Sequence, residues 1–324
     1  MTKPDIMMLY PQRPVAMAEL EKSYRVHRWD ESDDKATFLA EHGPKCRAIV
    51  SNGHAPVNRN ILNAMPNLEI VACSSAGFET FDLAALAQRG VALTNTSQAL
   101  CDDVADTAIM LMLAARRSLV RADNYIRSGE WAKKGPFPLQ RSLKGRKLGV
   151  VGMGTIGQAI ATRGEAMGLE ISYWNRREKD VRWRFVPDLL DLARESDNLI
   201  VIVAGGEGTR NLISEEVMSA LGPDGLLVNV ARGSVVDEGA LIETLSSGRL
   251  GHAALDVYAN EPNPDPRLTA LPNTTLFPHH ASGTIETRDA MAMLVVENLA
   301  AFYNGEPLIT PVDLSVYIPK PVEA

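Results

Sequence analysis

Three glycines within six residues constrain the fold of this chain more than any other feature. The segment KLGVVGMGTIGQAIA places them directly after an apolar run and directly before a helical pattern. In a strand–turn–helix unit, the first glycine permits the tight turn, the second lets the backbone approach a pyrophosphate, and the third lets the helix lie close to the sheet. The N–H groups that open the helix then favour that anion. The predicted dinucleotide contacts are Gly152, Gly154, Thr155, Ile156 and Gly157.

The region that follows this motif alternates strand and helix signals. The strand candidates are KLGVVG, EISYW, NLIVIV, LLVNV, HAALDV and TTLFP, and the helix candidates between them are IGQAIATRGEAM, PDLLDLARE, EEVMSAL and EGALIETLSSG. Six parallel strands joined by helical crossovers predict a doubly wound Rossmann domain, which we assign to residues 99–286.

The first ninety-odd residues predict a second, smaller α/β domain with a parallel sheet. Its strand candidates are IMMLY, RVHRW, RAIVS, EIVACS and VALTN, and its helix candidates are VNRNILNAM and FDLAALAQRG. An amphipathic helix from about Glu286 to Tyr303 would return the chain to this domain, which then covers residues 1–98 and 287–324. We expect a flavodoxin-like substrate domain, with the active site in the cleft between the two domains and the proline-rich C-terminal tail on a surface.

Two segments connect the predicted domains. CDDVADTAIMLMLAARRSLVRADNYIRSGEW begins with acidic residues and ends with basic ones, which favours one long helix bridging the domains. KKGPFPLQRSLKGRK follows without a clean period and predicts an irregular arm.

Charge and composition exclude several classes of function. The net charge of −7 argues against binding to a nucleic-acid backbone. No apolar run has the length of a signal peptide or a membrane span. The cysteines Cys46, Cys73 and Cys101 are widely spaced, which is typical of reduced core thiols. We therefore expect a cytoplasmic protein that binds neither nucleic acid nor membranes.

The residues that follow the second strand candidate of the Rossmann region predict cofactor choice. Asn175 stands where NAD-preferring proteins carry an acidic residue for the ribose 2′-hydroxyl, and Arg176 and Arg177 follow it. An acidic residue would repel a 2′-phosphate, whereas two guanidiniums can hold one. The sequence predicts NADPH as the cofactor, with NADH possible but disfavoured.

Three polar residues follow the last three strand candidates. Arg232 lies in VNVARGSVVDE, Glu261 in ALDVYANEPNP and His279 in TLFPHHASG. Because parallel strands end at the same edge of a sheet, these side chains can converge on one crevice.

These motifs also carry a resemblance that runs nearly end to end. Through VGMGTIG, VNVARGSVVDEGAL, ALDVYANEP and FPHHASGT the chain resembles the D-isomer-specific 2-hydroxyacid dehydrogenases, and within them the NADPH-dependent glyoxylate/hydroxypyruvate reductases and the hydroxyphenylpyruvate reductases. The resemblance implies reduction of a small 2-keto acid to the D-2-hydroxy acid by hydride transfer from the nicotinamide. His279 would donate the proton, Glu261 would orient the ring and keep it protonated, and Arg232 would hold the carboxylate and polarise the carbonyl.

The resemblance implies further contacts and an assembly state. Ala231 and Asp256 would contact the cofactor, with Asp256 bonded to the nicotinamide carboxamide. In CSSAGFETFDL, the backbone N–H groups of a small-residue loop would bind the substrate carboxylate. The family also implies a homodimer. The loop residues concerned are Ser75, Ala76 and Gly77.

Alternatives remain open at this point. His280 could compete with His279 as the acid, and a metal is not expected because no third ligand is spaced near the two histidines. Glu79 and the glycines of VAGGEGTRN depart from the family pattern. An aryl-pyruvate substrate, or a non-catalytic dinucleotide-sensing role, would keep the same fold.

Overall fold

The computed structural model describes residues 3–317, which form two parallel sheets in two compact units. Cys101–Ser282 forms one unit, and the described residues on either side of it form the other. The strands are β1 Asp5–Met8, β2 Arg25–Arg28, β3 Ala48–Ser51, β4 Ile70–Cys73, β5 Ala92–Thr94, β6 Lys147–Val151, β7 Glu170–Trp174, β8 Arg184–Phe185, β9 Asn198–Val201, β10 Leu226–Asn229, β11 His252–Leu255 and β12 Thr274–Leu276. The helices are α1 Pro14–Ser23, α2 Lys35–His42, α3 Arg59–Ala64, α4 Leu83–Gln88, α5 Cys101–Arg116, α6 Leu119–Arg127, α7 Glu130–Lys134, α8 Thr155–Ala166, α9 Leu189–Glu195, α10 Glu215–Leu221, α11 Glu238–Ser246, α12 Pro266–Thr269 and α13 Ile285–Asn304.

The unit that contains both chain ends has a five-stranded sheet in the order β2-β1-β3-β4-β5, all parallel. This is the flavodoxin-like order. Both faces of the sheet are covered because alternate residues of one strand enter different cores. Met7 packs with Leu62 and Leu86 on one face, whereas Ile6 packs with Leu20 and Leu299 on the other.

The unit Cys101–Ser282 has a seven-stranded parallel sheet in the order β12-β11-β10-β9-β6-β7-β8. The chain moves outward from β6 through β7 to β8 and then returns to β9 on the other side of β6. The strand order therefore reverses between β6 and β9, and sheets of this type bind ligands at such a switch point, outside the carboxyl ends of the strands. The predicted fold class is confirmed.

Several predicted elements differ from the structure. The long helix predicted from Cys101 is broken into α5, α6 and α7, because Ser118 and Gly129 take left-handed backbone with φ of 49° and 71°. Such a residue cannot continue a right-handed helix. Within the unit Cys101–Ser282, α5 packs on α8, β10 and β11. The bridging role stays a prediction.

Four elements were missing from the prediction, and one of them, α12, is a helix of only four residues. Helices α1 and α2 have apolar positions too few for a clear period, and β8 is only two residues long and pairs with β7 at the sheet edge. The predicted surface tail runs along β5, where the Val312 N–H donates to the Leu93 carbonyl at 2.8 Å, and its residues 318–324 lie outside the described residues.

Two expectations about composition can be compared with residues 3–317. Cys46 and Cys73 are buried, Cys101 is partly buried, and none of the three forms a disulfide within the described residues. Within the same residues, none of the helices combines the length and apolar character that a membrane span requires.

Candidate active site

The turn between β6 and α8 contains three glycines, two packed tightly against backbone and one facing open space. Gly152 has φ of +107°, and a Cβ there would lie 2.8 Å from the Ile202 carbonyl oxygen. A Cβ on Gly157 would lie 2.0 Å from the Gly152 carbonyl oxygen. A Cβ on Gly154, by contrast, would meet nothing within 4 Å. The first and third glycines are thus required by the protein itself, whereas Gly154 leaves open space above the N-terminus of α8, which fits a bound pyrophosphate.

The segment after β7 presents two exposed arginines. The Asn175 amide donates to the Arg177 carbonyl at 2.9 Å and so shapes the turn. Among the described residues, the guanidiniums of Arg176 and Arg177 form no hydrogen bond or ion pair. A Cβ on Gly208 would lie 2.8 Å from Arg176 Nη2, so the glycine-rich segment that departs from the family pattern packs against this arginine. The absence of a side chain at Gly208 leaves room for a ligand beside the Arg176 guanidinium.

His279 and Glu261 form a direct pair. The His279 Nδ1 lies 2.5 Å from Glu261 Oε2, with 35% and 27% of the two side chains exposed. The other oxygen, Oε1, accepts the Tyr258 N–H at 2.9 Å. With both carboxylate oxygens engaged, Glu261 is fixed in orientation, and the ring of His279 turns Nε2 away from it. His280 does not compete for this carboxylate, because its ring packs against Phe277 instead.

Asp256 holds the turn that carries His279. Its carboxylate, 1% exposed, accepts the N–H groups of His280 at 2.7 Å and of Ala281 at 3.1 Å, while its carbonyl accepts the His279 N–H at 2.7 Å. Burial raises the pKa of Asp256, and the two N–H groups oppose that rise. His279 has φ of 49°, a conformation that a non-glycine residue keeps only when neighbouring contacts impose it. The carboxylate therefore supports the histidine turn, whatever it contributes to cofactor binding.

Arg232 leaves the end of β10 in a turn fixed by Asn229, which the sequence analysis did not identify. Asn229 is 1% exposed, its Oδ1 accepts the Ala231 N–H and its Nδ2 donates to the Arg232 carbonyl, both at 3.0 Å. A Cβ on Gly233 would lie 1.8 Å from the Tyr258 carbonyl oxygen. Only glycine allows the Arg232 turn to pack against the segment that carries Glu261. The sole sequence signal was a polar residue at the end of an apolar strand.

Tyr258 is a second residue that the sequence did not single out. Its hydroxyl donates to the Phe277 carbonyl at 2.9 Å, and its backbone N–H binds Glu261. Burial raises the pKa of Tyr258 to about 12, so the hydroxyl remains a donor at neutral pH. Tyr258 therefore ties the segment after β11 to the segment after β12, which are the segments that supply the two members of the pair.

The predicted substrate loop belongs to the other unit, directly after β4. The amide N–H groups of Ser75 and Ala76 donate to no other described residue, whereas the Gly77 N–H contacts Ser75 Oγ at 3.3 Å. A Cβ on Gly53 would lie 2.2 Å from the Gly77 carbonyl oxygen, so this glycine allows the loop after β3 to approach the loop after β4. Two adjacent N–H groups without a partner are suited to a carboxylate. No cluster of residues that could hold a metal ion occurs in the described part of the chain.

Comparisons with known proteins identify the relatives of this chain. The profile of the "D-isomer specific 2-hydroxyacid dehydrogenase, NAD binding domain" matches residues 109–281. The glyoxylate/hydroxypyruvate reductase A of Arabidopsis thaliana is 44% identical, over 95% of this chain and 98% of that protein. The 2-ketogluconate reductase of Gluconobacter oxydans is 42% identical, over 96% and 99%. The crystal structure of an NADPH-dependent glyoxylate/hydroxypyruvate reductase from Sinorhizobium meliloti, in complex with NADP and malonate, is 38% identical with a TM-score of 0.90, over 98% and 99%.

Proposed function

Because the chain belongs to the D-isomer-specific 2-hydroxyacid dehydrogenase family, we propose that it is an NADPH-dependent reductase of glyoxylate or hydroxypyruvate that forms the D-2-hydroxy acid. The observation that carries the proposal is the 2.5 Å contact between His279 Nδ1 and Glu261 Oε2, on segments that follow the adjacent strands β11 and β12. A histidine oriented by a carboxylate is the arrangement that proton transfer to a developing alkoxide requires.

The roles of the pair follow from this geometry. When bound, NADPH supplies the hydride that reduces the keto carbon. His279 holds a proton on Nε2 and donates it to the carbonyl oxygen as that oxygen becomes negative. Glu261 accepts the Nδ1–H, fixes the ring and compensates the positive charge that the ring carries before the transfer. Tyr258 and Asp256 keep the two segments in place through the contacts described above.

The substrate is held through its oxygen atoms. We assign the keto-acid carboxylate to the unpartnered N–H groups of Ser75 and Ala76, together with Gly77. Arg232 supplies a guanidinium that contacts the carboxylate and polarises the carbonyl, since its planar fork can donate to two oxygens at once. Asn229 orients the backbone from which that side chain leaves.

The preference for NADPH rests on the segment after β7. Arg176 and Arg177 are exposed cations, Arg176 lies beside Gly208, and position 175 carries an asparagine in place of an acidic residue. A 2′-phosphate would receive charge-assisted hydrogen bonds from either guanidinium. The relative from Sinorhizobium meliloti, whose structure holds NADP, supports this assignment.

We assign a homodimer to the face formed by α6 and α7. Leu119, Val120, Ile126 and Trp131 are 56–61% exposed there. Large apolar side chains grouped on two consecutive short helices mark an association surface. A second copy of the chain would cover them through a two-fold contact.

The decisive experiment measures NADPH oxidation with glyoxylate and with hydroxypyruvate, in the wild type and in three variants. His279→Ala should lower kcat by about 100- to 10,000-fold, the usual contribution of a general acid, while NADPH binding followed by fluorescence persists. Glu261→Gln should lose a comparable part of kcat, because its amide no longer enforces the Nδ1–H form of the ring. His280→Ala is the matched control and should stay within about threefold of the wild type, since its ring does not contact Glu261. Unchanged turnover in His279→Ala would refute the assignment of the acid, and no turnover of either acid by the wild type would refute the function.

A further inference from the structure

The segment that carries Glu261 leaves the sheet after β11 with little apolar packing of its own. Ala259, Asn260 and Glu261 are all exposed. A side chain on such a segment keeps a fixed direction only if contacts to the backbone hold the segment. The hydroxyl and the N–H of Tyr258 provide two of these contacts. A further contact comes from Glu238 of α11, which the sequence analysis did not single out.

The peptide group between Tyr258 and Ala259 is held from two directions. Glu238 Oε2 accepts the Ala259 N–H at 2.9 Å. A Cβ on Gly233 would lie 1.8 Å from the Tyr258 carbonyl oxygen and 2.5 Å from the Ala259 nitrogen, so the Gly233 backbone lies directly against the same peptide group. Because Glu261 follows only two residues after Ala259, a rotation of this peptide group would displace the Glu261 side chain.

Glu238 extends from a rigid part of the chain. It is the first residue of α11 and is partly buried. Val235 and Val236, which precede it, are 0% and 4% exposed. The Asp237 N–H donates to the Ile213 carbonyl at 3.1 Å, and the Asp237 side chain caps the first turn of α11. The carboxylate of Glu238 therefore reaches the Glu261 segment from a fixed backbone.

We propose that Glu238 is a positioning residue for the reduction. It holds the Ala259 N–H and thereby keeps Glu261 directed at His279. It acts through the backbone and does not touch the substrate. The inference rests on the proposed function, because it takes His279 to be the proton donor and Glu261 to be the group that orients it. Since Glu238 belongs to the segment that also carries Arg232, the same contact sets the position of the pair relative to that guanidinium.

A negative charge on the first residue of a helix also stabilises the helix directly. That role requires the charge of Glu238 but no contact with Ala259, whereas positioning requires an acceptor oxygen at the right distance and no charge. Glutamine keeps an acceptor oxygen at the same distance without the charge. Aspartate keeps the charge, but its side chain is shorter by one C–C bond of about 1.5 Å, which removes its oxygens from hydrogen-bond distance of the N–H. The two substitutions therefore separate the two roles.

The test measures kcat and KM with glyoxylate and NADPH in the wild type, Glu238→Ala, Glu238→Asp and Glu238→Gln. The alanine and aspartate variants should lower kcat by about 10- to 100-fold, because displacement of a reacting group by about 1 Å can cost about 100-fold. Glu238→Gln should stay within about threefold of the wild type, because it keeps the acceptor. KM for NADPH should change by less than about twofold in all three, since the cofactor is assigned to other segments.

Glu243→Ala is the matched control. Glu243 lies on the same helix and is exposed, and within residues 3–317 its carboxylate forms no hydrogen bond or ion pair. The control removes a carboxylate from α11 without affecting the contact with Ala259. It should keep the wild-type kcat.

The pH dependence of kcat distinguishes positioning from a general loss of structure. The rate should fall at high pH as the His279 ring loses its proton. A displaced Glu261 compensates the charge of the ring less well, so in Glu238→Ala and Glu238→Asp this fall should move to lower pH by about one unit. Asp256, the other carboxylate whose charge acts on His279, is unchanged in these variants. Glu238→Gln and the control should keep the wild-type profile.

Several outcomes would overturn the inference while leaving the proposed function in place. They are a wild-type kcat in Glu238→Ala or Glu238→Asp, equal losses in Glu238→Ala and Glu238→Gln, an equal loss in the control, and a loss of the same size at every pH. A wild type that reduces neither glyoxylate nor hydroxypyruvate removes the proposed function and the inference together. Thermal melting followed by circular dichroism checks the folding of each variant; if Glu238→Ala is unfolded, the comparison of Glu238→Asp with Glu238→Gln decides.

Discussion

His252 should make this protein sensitive to mild acid. It begins β11, and its Nε2 lies 3.1 Å from Thr275 Oγ1 of β12. Burial, helped by the nearby positive charges of Arg116 and Arg121, lowers the pKa of His252 from 6.5 to about 4. In the unfolded chain the ring is solvated and titrates near its ordinary value.

The sign of the effect follows from which state binds the proton. Between about pH 4 and about pH 6.5 the unfolded chain is protonated at this ring and the folded chain is not, so acid favours unfolding. The difference between the folded and unfolded pKa of His252 corresponds to about 3 kcal/mol in the free energy of unfolding, at about 1.4 kcal/mol per unit of pKa. Moving from about pH 7 to about pH 5 should therefore lower the free energy of unfolding by about 2 kcal/mol through this residue.

Two measurements check this reasoning. Histidine-selective NMR should show one ring that stays neutral down to about pH 5, when exposed histidines are already charged. Urea unfolding of the wild type and of His252→Gln should then show a smaller loss of stability with acid in the variant, by about 2 kcal/mol. The difference between the two proteins at neutral pH measures the packing cost and serves as the internal control. Equal acid losses in both proteins, or a His252 ring that titrates near 6.5, would refute the argument.

Three further changes have definite expected outcomes. Arg177→Ser should raise KM for NADPH by about tenfold and leave KM for NADH nearly unchanged, because only the 2′-phosphate needs the charge-assisted bond; equal effects on both cofactors in steady-state assays would contradict this. Gly157→Ala places a Cβ 2.0 Å from the Gly152 carbonyl oxygen, so it should weaken NADPH binding in calorimetric titration and lower stability by about 1–3 kcal/mol, whereas Gly154→Ala, which meets nothing within 4 Å, should keep wild-type stability. Ile126→Asp should shift the mass measured by light scattering from dimer to monomer, since it buries a charge in the proposed interface; a wild type that is already monomeric at micromolar concentration would exclude that interface.

Much of the fold could be predicted because its signals are local. Alternating apolar residues assign faces of a strand, and strands separated by helices must pair in parallel, so the two α/β units and the family resemblance are confirmed. The errors lie where local signals are weak. The helix pattern after Cys101 continues through Ser118 without a proline, although the chain turns left-handed there, and the two residues of β8 are too few to show a period.

The residues of the candidate site also fall into those that the sequence predicted and those that it did not. The types and approximate positions of the polar residues at strand ends were readable, because parallel strands end at one edge of a sheet. Asn229 and Tyr258 were not, since an asparagine and a tyrosine at such positions are common, and their function lies in the backbone groups that they bind.

By itself, the sequence determined where the chain must bend and which edge of the sheet carries the polar residues. Steric limits on the backbone act within a few residues. The sequence therefore shows them directly, in Gly152 at a turn with positive φ and in the alternating apolar residues of the strands. Tertiary structure alone decided that Glu261 binds His279 rather than its neighbour, and that Glu238 binds the Ala259 N–H. Those contacts join residues far apart in the chain, and they exist only because the order of strands brings them together.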